Sequence, residues 1–278
     1  MDINKLSLKK IRTLHYKGQT TKLKTMGTDI NNFFQNPYSY FKSRYYIEVS
    51  AILVFFLQYT KVTPNFITII YSLLSFSVLF LLSSNNNYLI LFAIILLFTK
   101  GVLDWADGLL ARIQKKTSNL GFLLDNWAAL ISTHAYTLGL AIYLYNKDNE
   151  FIFIILGFSI LFIKALDLRN YAYHLAMYSL FKEKDKKSFL KKLNFNKHFK
   201  LKNKKKDSFL TIFKIFIQNL LDDRSRSVDL ICFIIFIDIF YYSSDLLKYL
   251  YYLIFFKNII IFMGGILLVT KKEYIFKK

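Results

Sequence analysis

Six apolar stretches restrict this chain more than any other feature of its 278 residues. A helix needs about 20 mostly apolar residues to cross a bilayer core. Residues 65–82, 88–102, 121–144, 151–165, 230–242 and 250–269 meet or approach that length. Proline occurs only at Pro37 and Pro64, so nothing interrupts these stretches. The same chain carries a formal charge of +20 with 54% hydrophobic residues. Lysine and arginine are not tolerated inside apolar spans, so they must be segregated along the sequence. The second stretch has to continue past Val102 through charged residues, and the fifth is short and holds Asp238.

The charge of the connections sets an orientation. Residues 83–87, 146–150 and 243–248 are short, polar and nearly free of basic residues, whereas 112–116, 182–226, the N-terminal region and 271–278 are rich in Lys and Arg. Six spans with both termini cytoplasmic place every basic connection on the cytoplasmic side. The expected architecture is therefore all-α and polytopic, with six transmembrane helices preceded by an interfacial or juxtamembrane helical arm. Residues 1–62 form that arm: a basic segment to position 46, with Lys5, Lys9, Lys10, Arg12, Lys17, Lys22 and Lys24 facing headgroups, then an interfacial helix over 47–60. A buried span there is the alternative. A six-span domain over 63–270 follows, with a Lys-rich cytoplasmic segment at 182–228 that is mobile or surface-bound between 182 and 207, and a basic tail over 271–278. The N-terminal region lacks the apolar core of a cleavable signal. Cys232, the single cysteine, excludes an internal disulfide. Membrane lipids, rather than nucleic acid, are the expected partner of the basic residues, because these flank the spans.

The chemistry concentrates between Asp104 and position 129. Asp104 and Asp107 share one helix face near the end of an apolar stretch, where paired acids demand a cation. Asp125 follows Gly121 by one turn on the next helix, and a glycine there lets the two helices approach. Three carboxylates can then converge. Oxygen ligands without a Cys or His cluster suit Mg²⁺ or Mn²⁺. Gly108 and Ala111 keep the same face free of bulk, and Arg112 adds a planar cation suited to phosphate. Metal, arginine and bare backbone together suit a diphosphate-bearing substrate. Taken singly, each residue reads better as a helix-end acid or its arginine cap. The order and spacing of all of them do not.

These residues resemble the signature of the CDP-alcohol phosphotransferases, D-x2-D-G-x2-A-R-x8-G-x3-D-x3-D. Asp104, Asp107, Gly108, Ala111, Arg112, Gly121 and Asp125 match it in identity and spacing. Residues Thr63, Pro64, Asn65, Ile67 and Thr68 also look like the family's Thr-Pro-Asn-x-Ile-Thr start of the first span. The resemblance implies a six-helix membrane enzyme of phospholipid biosynthesis, which moves a substituted phosphate from a CDP-linked alcohol such as CDP-diacylglycerol to an acceptor alcohol and releases CMP. By position it makes Asp104, Asp107 and Asp125 metal ligands and puts Gly108, Ala111, Arg112 and Gly121 against the CDP moiety. Dimers are usual among the relatives, so a homodimer is an assembly the resemblance allows.

The signature's last Asp falls at Ala129. In the family that residue completes the metal site and is proposed to accept the proton of the attacking hydroxyl, so the expected base position carries no base. His134 lies about 140° round the helix from Ala129, five residues on, and Thr133 shares the face but is not basic. Asp167 and Arg169 are polar enough to line the same cavity, or to form a helix-end ion pair. Arg224 and Arg226 can hold an acceptor phosphate or anchor the fifth span. The expected function is an active lipid phosphotransferase with a depleted metal site. The alternative is a catalytically silent relative that binds a nucleotide-lipid or a membrane protein.

Overall fold

The computed structural model describes residues 5–25, 30, 31, 33, 37–167, 226–241 and 245–270. Among these residues there are eight helices and no strand: α1 (Leu8–Thr25), α2 (Pro37–Leu57), α3 (Pro64–Leu82), α4 (Asn87–Ile113), α5 (Asn119–Asp148), α6 (Ile152–Ala165), α7 (Arg226–Tyr241) and α8 (Asp245–Thr270). Four are long and apolar enough to cross a membrane: α3, α4, α5 and residues Asp245–Leu267 of α8. α6 is apolar but has 14 residues. Large apolar side chains stand outward on these helices, including Leu73 and Phe80, each 62% exposed, and Ile260, 71% exposed. Apolar surface on that scale requires lipid around it. The chain is a membrane protein.

The chain divides into two compact units, one of residues Met1–Val78 with Ile95–Ser132 and one of Leu79–Ile94 with Thr133–Lys278. In the first, α1 is amphipathic. Ile11, His15 and Gln19, spaced by four, are buried, while Lys9, Lys10, Arg12 and Lys17 are exposed. Ile11 enters an apolar cluster with Ala51 and Val54 of α2, Ile67 of α3, and Ala106, Leu109 and Leu110 of α4. Polar contacts fix α1 along α2. The Gln58 amide pairs with both the N–H and the carbonyl of Leu6, each at 2.9 Å. Glu48 takes an ion pair from Arg12 at 2.7 Å and a hydrogen bond from the Tyr16 hydroxyl at 2.9 Å. Burial raises the Glu48 carboxyl, but these donors outweigh it and hold the group below its usual range.

α2 starts ten residues earlier than the interfacial helix expected at 47. Pro37 opens it at a position where its missing N–H costs nothing, and Tyr46 explains why the polar 37–46 segment is ordered. The Tyr46 ring lies so close to Gly101 of α4 that a β-carbon there would sit 2.5 Å from the ring, and the Tyr46 hydroxyl donates to the Phe98 carbonyl at 3.1 Å.

His15 joins α1 to this core. It is 0% exposed, its Nε2 lies 2.9 Å from Ser50 Oγ, and its ring meets Trp105 edge-on at 5.8 Å. Burial, with a further contribution from the Arg112 charge, pushes its pKa down to about 4. The folded chain therefore keeps His15 neutral while an unfolded or undocked α1 binds a proton below about pH 6.5. Stability is full above pH 6.5 and is lost as the pH falls toward 4, by at most about 3 kcal/mol. The thermal midpoint in detergent should drop across that interval, and His15→Gln should flatten the dependence.

In the second unit, α6 buries Phe153, Leu156, Gly157 and Ile160, one stripe of a helix. A β-carbon at Gly157 would lie 2.7 Å from the Ala141 side chain, so glycine permits that close approach. The Tyr251 hydroxyl of α8 donates to the Thr137 carbonyl at 3.1 Å. Asp238 of α7 is buried in an apolar run, and it accepts a hydrogen bond from Tyr143 at 2.6 Å and pairs with Lys147. A buried acid needs such compensation. Lys248 bridges to Asp148 at 3.1 Å.

Candidate active site

The site lies in the first unit and is built by three helix ends. α4 is 27 residues long, roughly 40 Å at 1.5 Å per residue, against a bilayer core of about 30 Å. Its last turns therefore exceed what the core needs, and they carry Asp104 to Arg112. The helix stops in a Schellman arrangement: Lys116 N–H donates to the Ala111 carbonyl at 2.9 Å and Lys115 adopts φ 53°. Ser118 then caps α5, its Oγ accepting from the Gly121 N–H at 3.0 Å. Five residues after α4 ends at Ile113 the next helix is already capped, and Gly121 and Asp125 are set beside the end of α4. The third end is that of α3, where Thr63 Oγ accepts from the Phe66 N–H at 3.3 Å and Pro64 occupies the first turn.

Between these ends is a cavity of about 210 Å³, lined by Asn65, Thr68, Asp107, Gly108, Ala111, Arg112, Gly121 and Asp125 among others. The exposed Arg112 folds back over Gly108, with Nη1 3.4 Å from where a β-carbon would be. A β-carbon at Gly121 would stand 3.2 Å from the Asn65 side-chain oxygen. Both glycines thus leave room that a side chain would crowd. Asp104 is half-buried and lies within hydrogen-bonding reach of the exposed Asp125, and the charges of all three acids act on one another. Asp107, 7% exposed, accepts a hydrogen bond from Thr68 Oγ at 2.5 Å. Its carboxyl is directed to α3, and the three acids do not close into a common coordination shell. Among the described residues no group of three or more His, Cys, Asp or Glu side chains does so.

Ala129 is half-buried one turn beyond Asp125. His134 and Asp167 belong to the second unit, the first half-buried and the second buried. Arg169, Arg224, the 182–207 stretch and the 271–278 tail lie outside the described residues, as does the side chain of Arg226. Thr68 and Asn65 stood in the Thr-Pro-Asn-x-Ile-Thr segment, but nothing local pointed to a carboxylate partner for Thr68. The residues are 39 apart in sequence, and only the packing of α3 on α4 joins them.

Two acids, Asp107 and Asp125, and Arg112 thus surround a glycine-lined cavity at the ends of apolar helices. The family model for CDP-alcohol phosphatidyltransferase matches residues 61–204, a little over half of the chain, and the chain belongs to that family. No curated protein matches it. Members of the family transfer substituted phosphate groups from CDP-alcohols and generally use a divalent metal.

Proposed function

We propose that this protein transfers a phosphatidyl-type group from a CDP-linked lipid such as CDP-diacylglycerol to an acceptor alcohol, releasing CMP for phospholipid biosynthesis. The observation that carries this reading is the single cavity in which Asp107, Asp125 and Arg112 meet over Gly108 and Gly121. Arg112 would take a phosphate in a two-point contact, while Gly108, Ala111 and Gly121 leave space for the diphosphate and cytidine. The donor set fits a hard divalent ion, because two carboxyls within hydrogen-bonding reach repel unless a proton or a cation joins them. Asp104 and Asp125 would hold Mg²⁺ or Mn²⁺, with Asp107 beside them as the third acid, and the ion would supply positive charge to the diphosphate and to the departing CMP. In the transfer the acceptor hydroxyl oxygen bonds to the lipid-side phosphorus and the bridging P–O bond breaks. CMP leaves with that electron pair, and the hydroxyl proton goes to water or to a substrate phosphate, since Ala129 accepts none. Arg224 and Arg226 are the candidates to hold a phosphorylated acceptor.

For topology, α6 and α7 join the four long helices as shorter spans. Both termini and the site then face the cytoplasm, which keeps the basic connections on that side. The alternative, a silent relative that binds a nucleotide-lipid or a membrane protein, is favoured by Ala129 alone. Incubating purified protein with CDP-diacylglycerol, divalent metal and a panel of acceptors separates the two. Release of CMP with one acceptor class supports transfer, and CDP-lipid binding with no release from any acceptor supports the silent reading.

Arg112→Lys should weaken CDP-lipid binding by roughly tenfold, the value of a charge-assisted hydrogen bond lost with the planar fork. The side chain is exposed, so the thermal midpoint should move little. Equal loss of binding and fold would assign Arg112 a structural part.

A further inference from the structure

Asp107 and Arg112 lie in the last turns of α4, Lys116 lies in the turn after it, and all three line the cavity. The place of Lys116 is set by the backbone. Lys115 takes the left-handed φ of 53°, and the Lys116 N–H closes on the Ala111 carbonyl at 2.9 Å. Gln114 ties the same turn to the segment just before α3, its Nε2 donating to the Val62 carbonyl at 3.2 Å. Ser118 fixes the far side by capping α5. A turn held at three points brings one lysine to the cavity and not its neighbour: Lys116 lines it and Lys115 does not.

The two cations of this cavity are not equivalent. Arg112 folds over Gly108, and its charge interacts with that of Asp107. The Lys116 ammonium has no ion-pair or hydrogen-bond partner among the described residues, so its charge is uncommitted. An exposed lysine at a helix end is ordinarily only a solvated charge. This one shares its cavity with Thr117, Ser118 and Gly121, so the N-terminal turn of the 30-residue α5 borders the same space. The partial positive charge of that helix end favours an anion there.

The donor of the proposed reaction presents its parts in the same order as the chain does. Its lipid tails belong to the bilayer, the lipid-side phosphate comes next, and CMP projects toward water. Lys116 is nine residues past Asp107, beyond the end of α4, so it stands on the aqueous side of the acids. The CMP phosphate falls there. When the bridging P–O bond breaks and CMP leaves with the electron pair, that phosphate passes from one negative charge to two. A cation in contact with it therefore binds the transition state better than the bound donor.

We propose that Lys116 is a substrate-binding residue that holds the CMP phosphate of the donor and of the departing product. This rests on the transfer reading given under the proposed function, and it leaves Arg112 to the lipid-side phosphate.

The test is equilibrium binding of CMP and of cytidine, each with Mg²⁺ present, to the purified full-length chain. Wild type should bind CMP more tightly than cytidine. Lys116→Gln should weaken CMP binding by about tenfold, the value of one charge-assisted hydrogen bond, and leave cytidine unchanged. Lys116→Arg keeps the charge and should restore most of the preference. Lys115→Gln removes the same charge one residue away and should change neither ligand. The thermal midpoint should stay in place throughout, because the side chain is exposed and the N–H that holds Ala111 remains. A wild type without preference for CMP overturns this proposal alone, as does a preference that survives Lys116→Gln or falls equally in Lys115→Gln. A wild type that binds neither CMP nor CDP-diacylglycerol overturns it together with the transfer reading. Loss of CMP and cytidine in parallel, with a lowered midpoint, makes Lys116 structural and overturns the proposal as well.

Discussion

Asp104→Asn should lower CMP release by at least about 10²–10³-fold, yet raise the thermal midpoint of the metal-free protein. The loss follows from removing one of the acids that would hold the divalent ion, since a single electrostatic donor to developing charge is worth about that factor. The gain in stability follows from Asp104 lying within hydrogen-bonding reach of Asp125. Two like charges at that separation repel, and an amide both removes the repulsion and offers a donor to the remaining carboxylate. A relief of about 1 kcal/mol corresponds to a rise of roughly 2–4 °C in a chain of this size. Activity and stability moving in opposite directions are characteristic of a functional site. A midpoint that falls with the activity would make Asp104 a structural acid instead.

Ala129→Asp should act in the other direction on turnover. Position 129 is one turn beyond Asp125 on the face that also carries Ser132, so a new carboxylate there stands next to the acids already present. It should tighten divalent-ion binding by adding an anionic oxygen. It should also raise CMP release, by up to the 10²–10⁴-fold that a positioned general base supplies. If the wild type is silent only for want of this residue, the variant gains turnover from none. Weaker metal binding with no gain in turnover would show that position 129 is not a vacated catalytic position, and a lowered midpoint would add that the helix pair has been repacked around alanine.

The parts of this molecule that were legible in the sequence are those whose logic is local. Asp104, Asp107, Gly108, Ala111 and Arg112 fall within three turns of one helix, and Gly121 and Asp125 follow after a turn of fixed length. Periodicity alone puts them on facing stripes. Helix positions were legible for the same reason, because apolar length marks them directly, as with α4 running past Val102 to Ile113. What was hidden depends on tertiary register. The polar 37–46 segment does not look like the start of a helix until Tyr46 is seen against Gly101. Asp238 looks out of place in α7 until Tyr143 and Lys147 are seen beside it. His15 looks like one more polar residue of a basic arm, yet it is the buried anchor of α1. Thr68 was invisible as the partner of a site acid because Asp107 is 39 residues away.

The most direct test of the account is CMP release from CDP-diacylglycerol as a function of Mn²⁺ concentration, measured for purified wild type and Asp104→Asn with a pool of acceptor alcohols. The account predicts release that rises and saturates with Mn²⁺ in wild type, disappears on chelation, and falls to background in Asp104→Asn. Release independent of both the metal and Asp104, or CDP-lipid binding without any release, would contradict it.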